Sequence, residues 1–145
     1  MLSARVEVPP PVNEPVLSYA PGTPERGRLQ EALRDLAGRA VDVPMFIGGK
    51  EVRTGKTHAI RAPHRHSQVL GAWHEGDASH VKDAIAASLA ARPAWAAMPW
   101  AARAAVFLKA ADLLTGKHRQ ALNAATMLGQ SKTAHQAEID AACEL

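Results

Sequence analysis

DASHVKDAIAASLAARPAWAAMPWAARAAVFLKAADLLTG, residues 77–116, is the stretch on which the fold class turns. Val81, Ile85 and Leu89 recur at helical spacing behind Asp77, whose carboxylate can take up the first free amides of a helix. Pro93 disturbs the ladder, and Trp95 and Met98 complete the far end of the stripe. Pro99 then opens a second helix with Ala102, Val106, Ala110, Leu113 and Leu114 on one face, stopping near Gly116. A third runs through Leu122, Ala125 and Leu128 to Gly129. Aromatic residues make up only 4% of the chain, and alanine is abundant here, which favours closely packed helices over a β-sandwich.

C-terminal to these three helices, Ser131 or Thr133 caps a last one, and Thr133 with Gln136 three residues on has the spacing of a capping box. Ile139, Ala142 and Cys143 form a stripe that runs into Leu145 without a glycine stop, a basic last turn or a following proline, so the chain is expected to be cut inside a helix. N-terminal to them the periodicity changes. From Val43, Met45-Phe46-Ile47 and Lys50-Glu51-Val52-Arg53 flank Gly48-Gly49, a pair that tolerates positive φ, and read as two strands of a hairpin. Thr57 to Arg61 and Val69 to Trp73 are further short strands, giving a small antiparallel sheet. Before it, Thr23 as cap and Pro24 at the first helical position start a short amphipathic helix with Leu29, Leu33, Leu36 and Ala37, ended by Gly38. Pro9, Pro10, Pro11, Pro15 and Pro21 make the first 22 residues an extended arm. The expected division is an arm at 1–22, a helix at 23–38, a strand region at 43–76 and a helical region at 77–145.

A chain of 145 residues, 47% apolar, can bury one core. Its net charge of +3 is scattered among acidic residues, without the basic stripe and interleaved aromatics of a nucleic-acid surface. No window has the length of a membrane span. The opening residues 1–9 turn to proline without a long apolar run, unlike a signal or transit peptide. One cysteine, Cys143, allows neither an internal disulfide nor zinc-type spacing, so a reducing cytoplasm fits.

Four features invite chemistry. His58, His64, His66, His74 and His80 crowd one region, but no third acidic or cysteine ligand stands at a convincing position, so hydrogen-bonding roles are preferred and no metal site is assigned. Cys143 has Asp140 and Ile139 as its nearest helical neighbours, which would raise a thiol's pKa rather than activate it, and it reads as a small buried hydrophobe. Gly48-Gly49 is followed by a strand where a dinucleotide loop needs a helix. Glu138 stands among Ala134, His135, Ala141 and Ala142 on its helix, a partly buried carboxylate that needs a counter-charge or a donor. From the residues alone, an internal salt bridge or a backbone amide is favoured over a ligand.

Specific stretches carry a resemblance. Asn13-Glu14-Pro15-Val16, Tyr19-Ala20-Pro21-Gly22, the hairpin from Ile47 to Gly55 and Pro63-His64-Arg65-His66 are similar to the opening of 1-pyrroline-5-carboxylate dehydrogenases. Trp95 to Leu114 resembles the first large helices of aldehyde dehydrogenases generally. The stretch Asn123 to Thr133 with Gln136-Ala137-Glu138-Ile139-Asp140 is similar to the 1-pyrroline-5-carboxylate enzymes in particular. The resemblance covers nearly all of this chain and about the first quarter of a family member.

It implies the α/β aldehyde dehydrogenase fold, of which this piece is a mainly helical beginning with a small antiparallel hairpin region. It also implies oxidation of L-glutamate γ-semialdehyde to L-glutamate with NAD in proline catabolism, by a homo-oligomer when complete. The nucleophilic cysteine, the water-activating glutamate and the NAD loop of that family lie outside this chain. No catalytic, cofactor or metal residue is therefore assigned, and Cys143 takes no catalytic role. The glutamate of the Gln-Ala-Glu-Ile-Asp motif lines the family's substrate pocket near the α-amino end of the semialdehyde. By resemblance Glu138 becomes a substrate-binding residue, with an ammonium as its counter-charge, and that moves preference to the ligand reading. The apolar helix faces would dock the remainder of the dehydrogenase, so the chain alone is expected to be inactive and aggregation-prone. The alternatives are a stand-alone helical interaction module and an aldehyde dehydrogenase for a different semialdehyde.

Overall fold

The computed structural model describes Glu7 and residues 9–143; the leader reading of the first residues and the expected run of the last helix into Leu145 lie largely or wholly outside the described residues. Ten regular elements follow the arm: helix α1 (Pro24–Ala37), strands β1 (Val41–Val43), β2 (Met45–Ile47), β3 (Lys50–Val52), β4 (Thr57–Ala62) and β5 (Arg65–His74), and helices α2 (Ala78–Ala97), α3 (Trp100–Thr115), α4 (Arg119–Gln130) and α5 (Ala134–Glu138). A wide π-helical turn, Ile139–Cys143, continues directly from α5.

β2 and β3 pair antiparallel around Gly48 and Gly49, whose φ values of 58° and 78° give the twist that a two-residue hairpin requires. β4 and β5 pair antiparallel, but the expected single antiparallel sheet is not what forms. β1 lies parallel to β5, with Val41 opposite Gly71 and Val43 opposite Trp73, so the strands divide into a mixed sheet β1-β5-β4 and a separate β2-β3 ribbon. The reason is visible at Gly71: a Cβ there would lie 2.0 Å from the Val41 carbonyl oxygen, and glycine alone admits the β1 backbone so close.

α2 runs through Pro93 without breaking. The helix has no buried residue, so water can bond the carbonyl that proline leaves unpaired. Asp77 accepts from the amides of Ser79 and His80, while His80 reaches back to the Asp77 amide, closing a capping box. α4 ends at Gln130, past the anticipated stop at Gly129; Ser131 takes the left-handed position, at φ 57°.

The core is small and lies between α1, α4 and the arm. Tyr19, Leu29 and Ala124 form its centre, with Leu17, Leu33, Leu36, Met127 and Ala134 packed around them. α2 and α3 contribute nothing to it. Val81, Ile85 and Leu89 are each more than half exposed, as are Val106 and Phe107 on α3, so the α2 stripe and the middle of α3 lie largely uncovered, while Leu113 and Leu114 at the end of α3 are half-buried.

Candidate functional site

The arm, α4 and α5 converge on one carboxylate. Thr133 and Gln136 form the reciprocal box that starts α5, and the helix then carries Glu138 inward to complete burial. Arg119 and Asn123, one turn apart on α4, meet it from that side. The arm brings Tyr19, held at φ 52°, a left-handed conformation uncommon outside glycine.

Five donors from four residues point at this carboxylate. Oε1 accepts the Leu17 amide at 2.8 Å and the Arg119 Nε at 3.2 Å, and it pairs closely with Arg119 Nη2. Oε2 accepts the Tyr19 hydroxyl at 2.6 Å and the Asn123 amide at 2.7 Å. Arg119, itself buried, spreads its remaining donors over the arm, with Nη1 on Glu14 at 2.7 Å and Nη2 on the Pro15 carbonyl at 2.7 Å. Asn123 also donates to the Tyr19 oxygen at 2.8 Å; its own Oδ1 is buried without a partner among the described residues.

Burial pushes the Glu138 carboxyl upward, but the Arg119 guanidinium, the Tyr19 hydroxyl, the Leu17 amide and the Asn123 amide outweigh it and hold the pKa down to about 2. The Tyr19 phenol is pushed up to about 12 by burial and by the Glu138 anion. Arg119 is raised above its ordinary range, chiefly by its bonds to Glu138. At neutral pH the cluster is therefore an anion, a cation and a neutral phenol. A carboxylate with so low a pKa is a feeble base, and with both oxygens saturated it presents no free lone pair. Its present geometry makes it an anchor, with the cation and the backbone amide that the residues alone had called for.

Sequence reasoning missed the partners. Arg119 and Asn123 share a face four residues apart, a detectable signal, but nothing local says that this face meets Glu138. Tyr19 entered only as part of a motif. The acidic neighbours expected for Cys143 are also incomplete: in the π turn its sulfur lies 3.9 Å from Arg119 Nη2, a cation supplied by another element.

The histidines have separate structural duties. His74 is buried and accepts the Thr54 and Gly55 amides on Nδ1, while its Nε2 faces Asp42 at 3.0 Å. Asp42 also binds Arg53 at 2.7 Å, so this knot ties the mixed sheet to the β2-β3 ribbon. His58 pairs with Glu75 and stacks on Trp73, His64 bonds Ser131, and the His66 carbonyl accepts from Arg61. Among the described residues no three His, Cys, Asp or Glu side chains converge as metal ligands. Gly48 and Gly49 sit on a hairpin turn open to solvent on one side, not at the start of a helix.

The profile of the Aldehyde dehydrogenase family matches residues 51–144. Delta-1-pyrroline-5-carboxylate dehydrogenase of Agaricus bisporus is 51% identical over 143 residues, which is 98% of this chain and 26% of the relative. The mitochondrial delta-1-pyrroline-5-carboxylate dehydrogenase of Homo sapiens is 47% identical over 133 residues, 92% of this chain and 24% of the relative. Among solved structures, the Mycobacterium tuberculosis delta-pyrroline-5-carboxylate dehydrogenase bound with NAD superposes with a TM-score of 0.94 at 47% identity, covering 99% of this chain and 27% of that one. The chain thus spans about a quarter of the length of the relatives it matches.

Proposed function

Since the chain belongs to the aldehyde dehydrogenase family, we propose that it is the N-terminal portion of an enzyme that oxidises L-glutamate γ-semialdehyde to L-glutamate with NAD, a step of proline catabolism. The observation that carries this reading is identity of 51% and 47% across nearly the whole chain to proteins named for that activity. NAD would accept the hydride in the complete enzyme. The described residues of this chain do not supply the glycine fingerprint of a dinucleotide loop, because the adjacent glycines Gly48 and Gly49 turn a hairpin and the connection from β5 into α2, Glu75-Gly76-Asp77, holds a single glycine. This portion contributes a framework and one wall, and the chemistry falls to the rest of the polypeptide.

The uncovered stretches of α2 and α3 support the same reading. Val81, Ile85, Leu89, Val106 and Phe107 form apolar surface of the kind that a further layer covers, and the remainder of the dehydrogenase is the partner proposed for it. A homo-oligomer of the complete chain in the cytoplasm completes the proposal.

Glu138 is proposed as the substrate-binding residue of this portion, toward the α-amino end of the semialdehyde. What supports this is a permanent buried anion in the Gln-Ala-Glu-Ile-Asp motif. A specific observation favours a second reading: five protein donors from four residues already satisfy the carboxylate, so Glu138 would shape the pocket by fixing its surroundings. Kinetics separate the two. As a direct contact, Glu138→Ala raises KM for the semialdehyde but not for an analogue that lacks the α-amino group, with NAD binding unchanged; as an anchor, it raises KM for both, and in either case the stranded Arg119 guanidinium lowers the melting temperature. Unchanged kinetics with the semialdehyde would remove Glu138 from the pocket altogether.

The enzyme reading is tested by co-expressing the 145-residue chain with the complementary three-quarters of the Mycobacterium tuberculosis relative. The expected result is NADH formation from 1-pyrroline-5-carboxylate only when both pieces are present. Activity confined to other aldehydes would favour a different substrate, and a stable monomeric chain that assembles with nothing would favour an interaction module.

A further inference from the structure

The carboxylate cluster joins parts of the chain that are remote in sequence. Glu14, Pro15, Leu17 and Tyr19 come from the arm, Arg119 and Asn123 from α4, and Glu138 stands at the junction of α5 with the wide turn Ile139–Cys143. That junction is where the backbone leaves α-helical spacing, a feature that recurs at functional sites. Two side chains span the gap. Arg119 grips Glu138 with Nε and Nη2 and the arm with Nη1 and Nη2, so one planar guanidinium is bonded on both sides. Tyr19 takes a hydrogen bond from Asn123 and gives its own proton to Glu138, linking all three elements through one oxygen.

Among the described residues, the proline-rich stretch 9–20 pairs with no strand. The Leu17 amide bonds directly to Glu138, and the Pro15 carbonyl directly to Arg119. Removing either side chain would loosen the arm and the turn together, which a loose surface contact would not do.

We propose that Arg119 and Tyr19 are positioning residues, which strap the arm segment Glu14–Tyr19 over Glu138 and thereby fix the Ile139–Cys143 turn where the aldehyde substrate binds. The strap is argued from the geometry of this chain; its link to substrate rests on the pocket reading of Glu138. Neither residue touches a reacting atom. Both act through the turn.

The test uses the full-length enzyme carrying this segment, with Tyr19→Phe, Arg119→Met, Arg119→Lys and Glu138→Gln. Two quantities are read for each: hydrogen exchange of the Leu17 amide and of the amides of residues 139–143, and KM for 1-pyrroline-5-carboxylate against KM for NAD. Tyr19→Phe keeps the ring in the core and deletes one bond to a charged group, so exchange should accelerate about ten- to a hundredfold at both segments. KM for the aldehyde should rise severalfold with KM for NAD unchanged, and Arg119→Lys should restore part of what Arg119→Met loses. Unchanged exchange in residues 139–143 overturns the strap; if Glu138→Gln still raises the aldehyde KM, the pocket reading survives without it. Faster exchange with no change of aldehyde KM in any variant overturns the positioning role and the pocket reading together.

Discussion

Arg119→Met leaves a fully buried carboxylate without its counter-ion, and the cost follows from that burial. Glu138 is held at about 2, against an ordinary carboxyl value of 4.5. That depression is the balance of burial, which raises the carboxyl, against Arg119 and three other donors, which lower it, so the cost of losing Arg119 is taken from buried pairs in general, roughly 3–5 kcal/mol when one partner is removed. Methionine preserves the length and most of the packing of the arginine stem, so the loss reports charge and hydrogen bonds. Tyr19, Leu17 and Asn123 stay in place and prevent the cost from growing further. The assay is urea denaturation of the enzyme carrying this segment, comparing Arg119→Met, Glu138→Gln and the double variant. The expected single loss for Arg119→Met is about 3 kcal/mol, with a coupling of at least about 2 kcal/mol because the double variant removes both charges at once. A loss under about 1 kcal/mol, or additive single losses, would show that the pair is a solvated contact and that the clasp does not hold this fold together.

Two further outcomes follow from the same geometry. Because the folded pKa of Glu138 lies below its unfolded value, its contribution is present above about pH 4.5 and is lost as pH falls toward about 2; acid titration of the unfolding midpoint should show this loss in the wild type and a flatter profile in Glu138→Gln. At Gly71, an alanine Cβ would sit 2.0 Å from the Val41 oxygen, so Gly71→Ala should release β1, seen as fast exchange at Val41–Val43 with the β4-β5 hairpin kept; retained protection of β1 would contradict that assignment.

How much of this was legible in the sequence depended on the reach of each signal. The Thr133–Gln136 box, the Gly48-Gly49 turn and the cap at Thr23 are local: the residues that make them lie within a few positions of one another, and the structure shows each as a cap or turn position. The parallel pairing of β1 depends on Gly71, thirty positions away by the register of Val41 with Gly71, and a glycine inside a strand does not announce which backbone will approach it. Glu138 was identifiable as a carboxylate in need of a partner, since desolvation demands one. Arg119 and Tyr19 were not, because only the packing of α4 and the path of the arm bring them together. The π turn escaped for a related reason: Ile139, Ala142 and Cys143 fit α-helical spacing, and it is the arrangement after the buried Glu138 that departs from it.

Fragment complementation tests the enzyme reading most directly. The 145-residue chain is mixed with the complementary portion of the Mycobacterium tuberculosis relative, and NADH is followed at 340 nm, the absorption band of the reduced cofactor, with 1-pyrroline-5-carboxylate as substrate. NADH appearing only in the mixture, and lost when Arg119→Met is introduced, is the expected result. A mixture that assembles but forms NADH from other aldehydes and none from 1-pyrroline-5-carboxylate would contradict it.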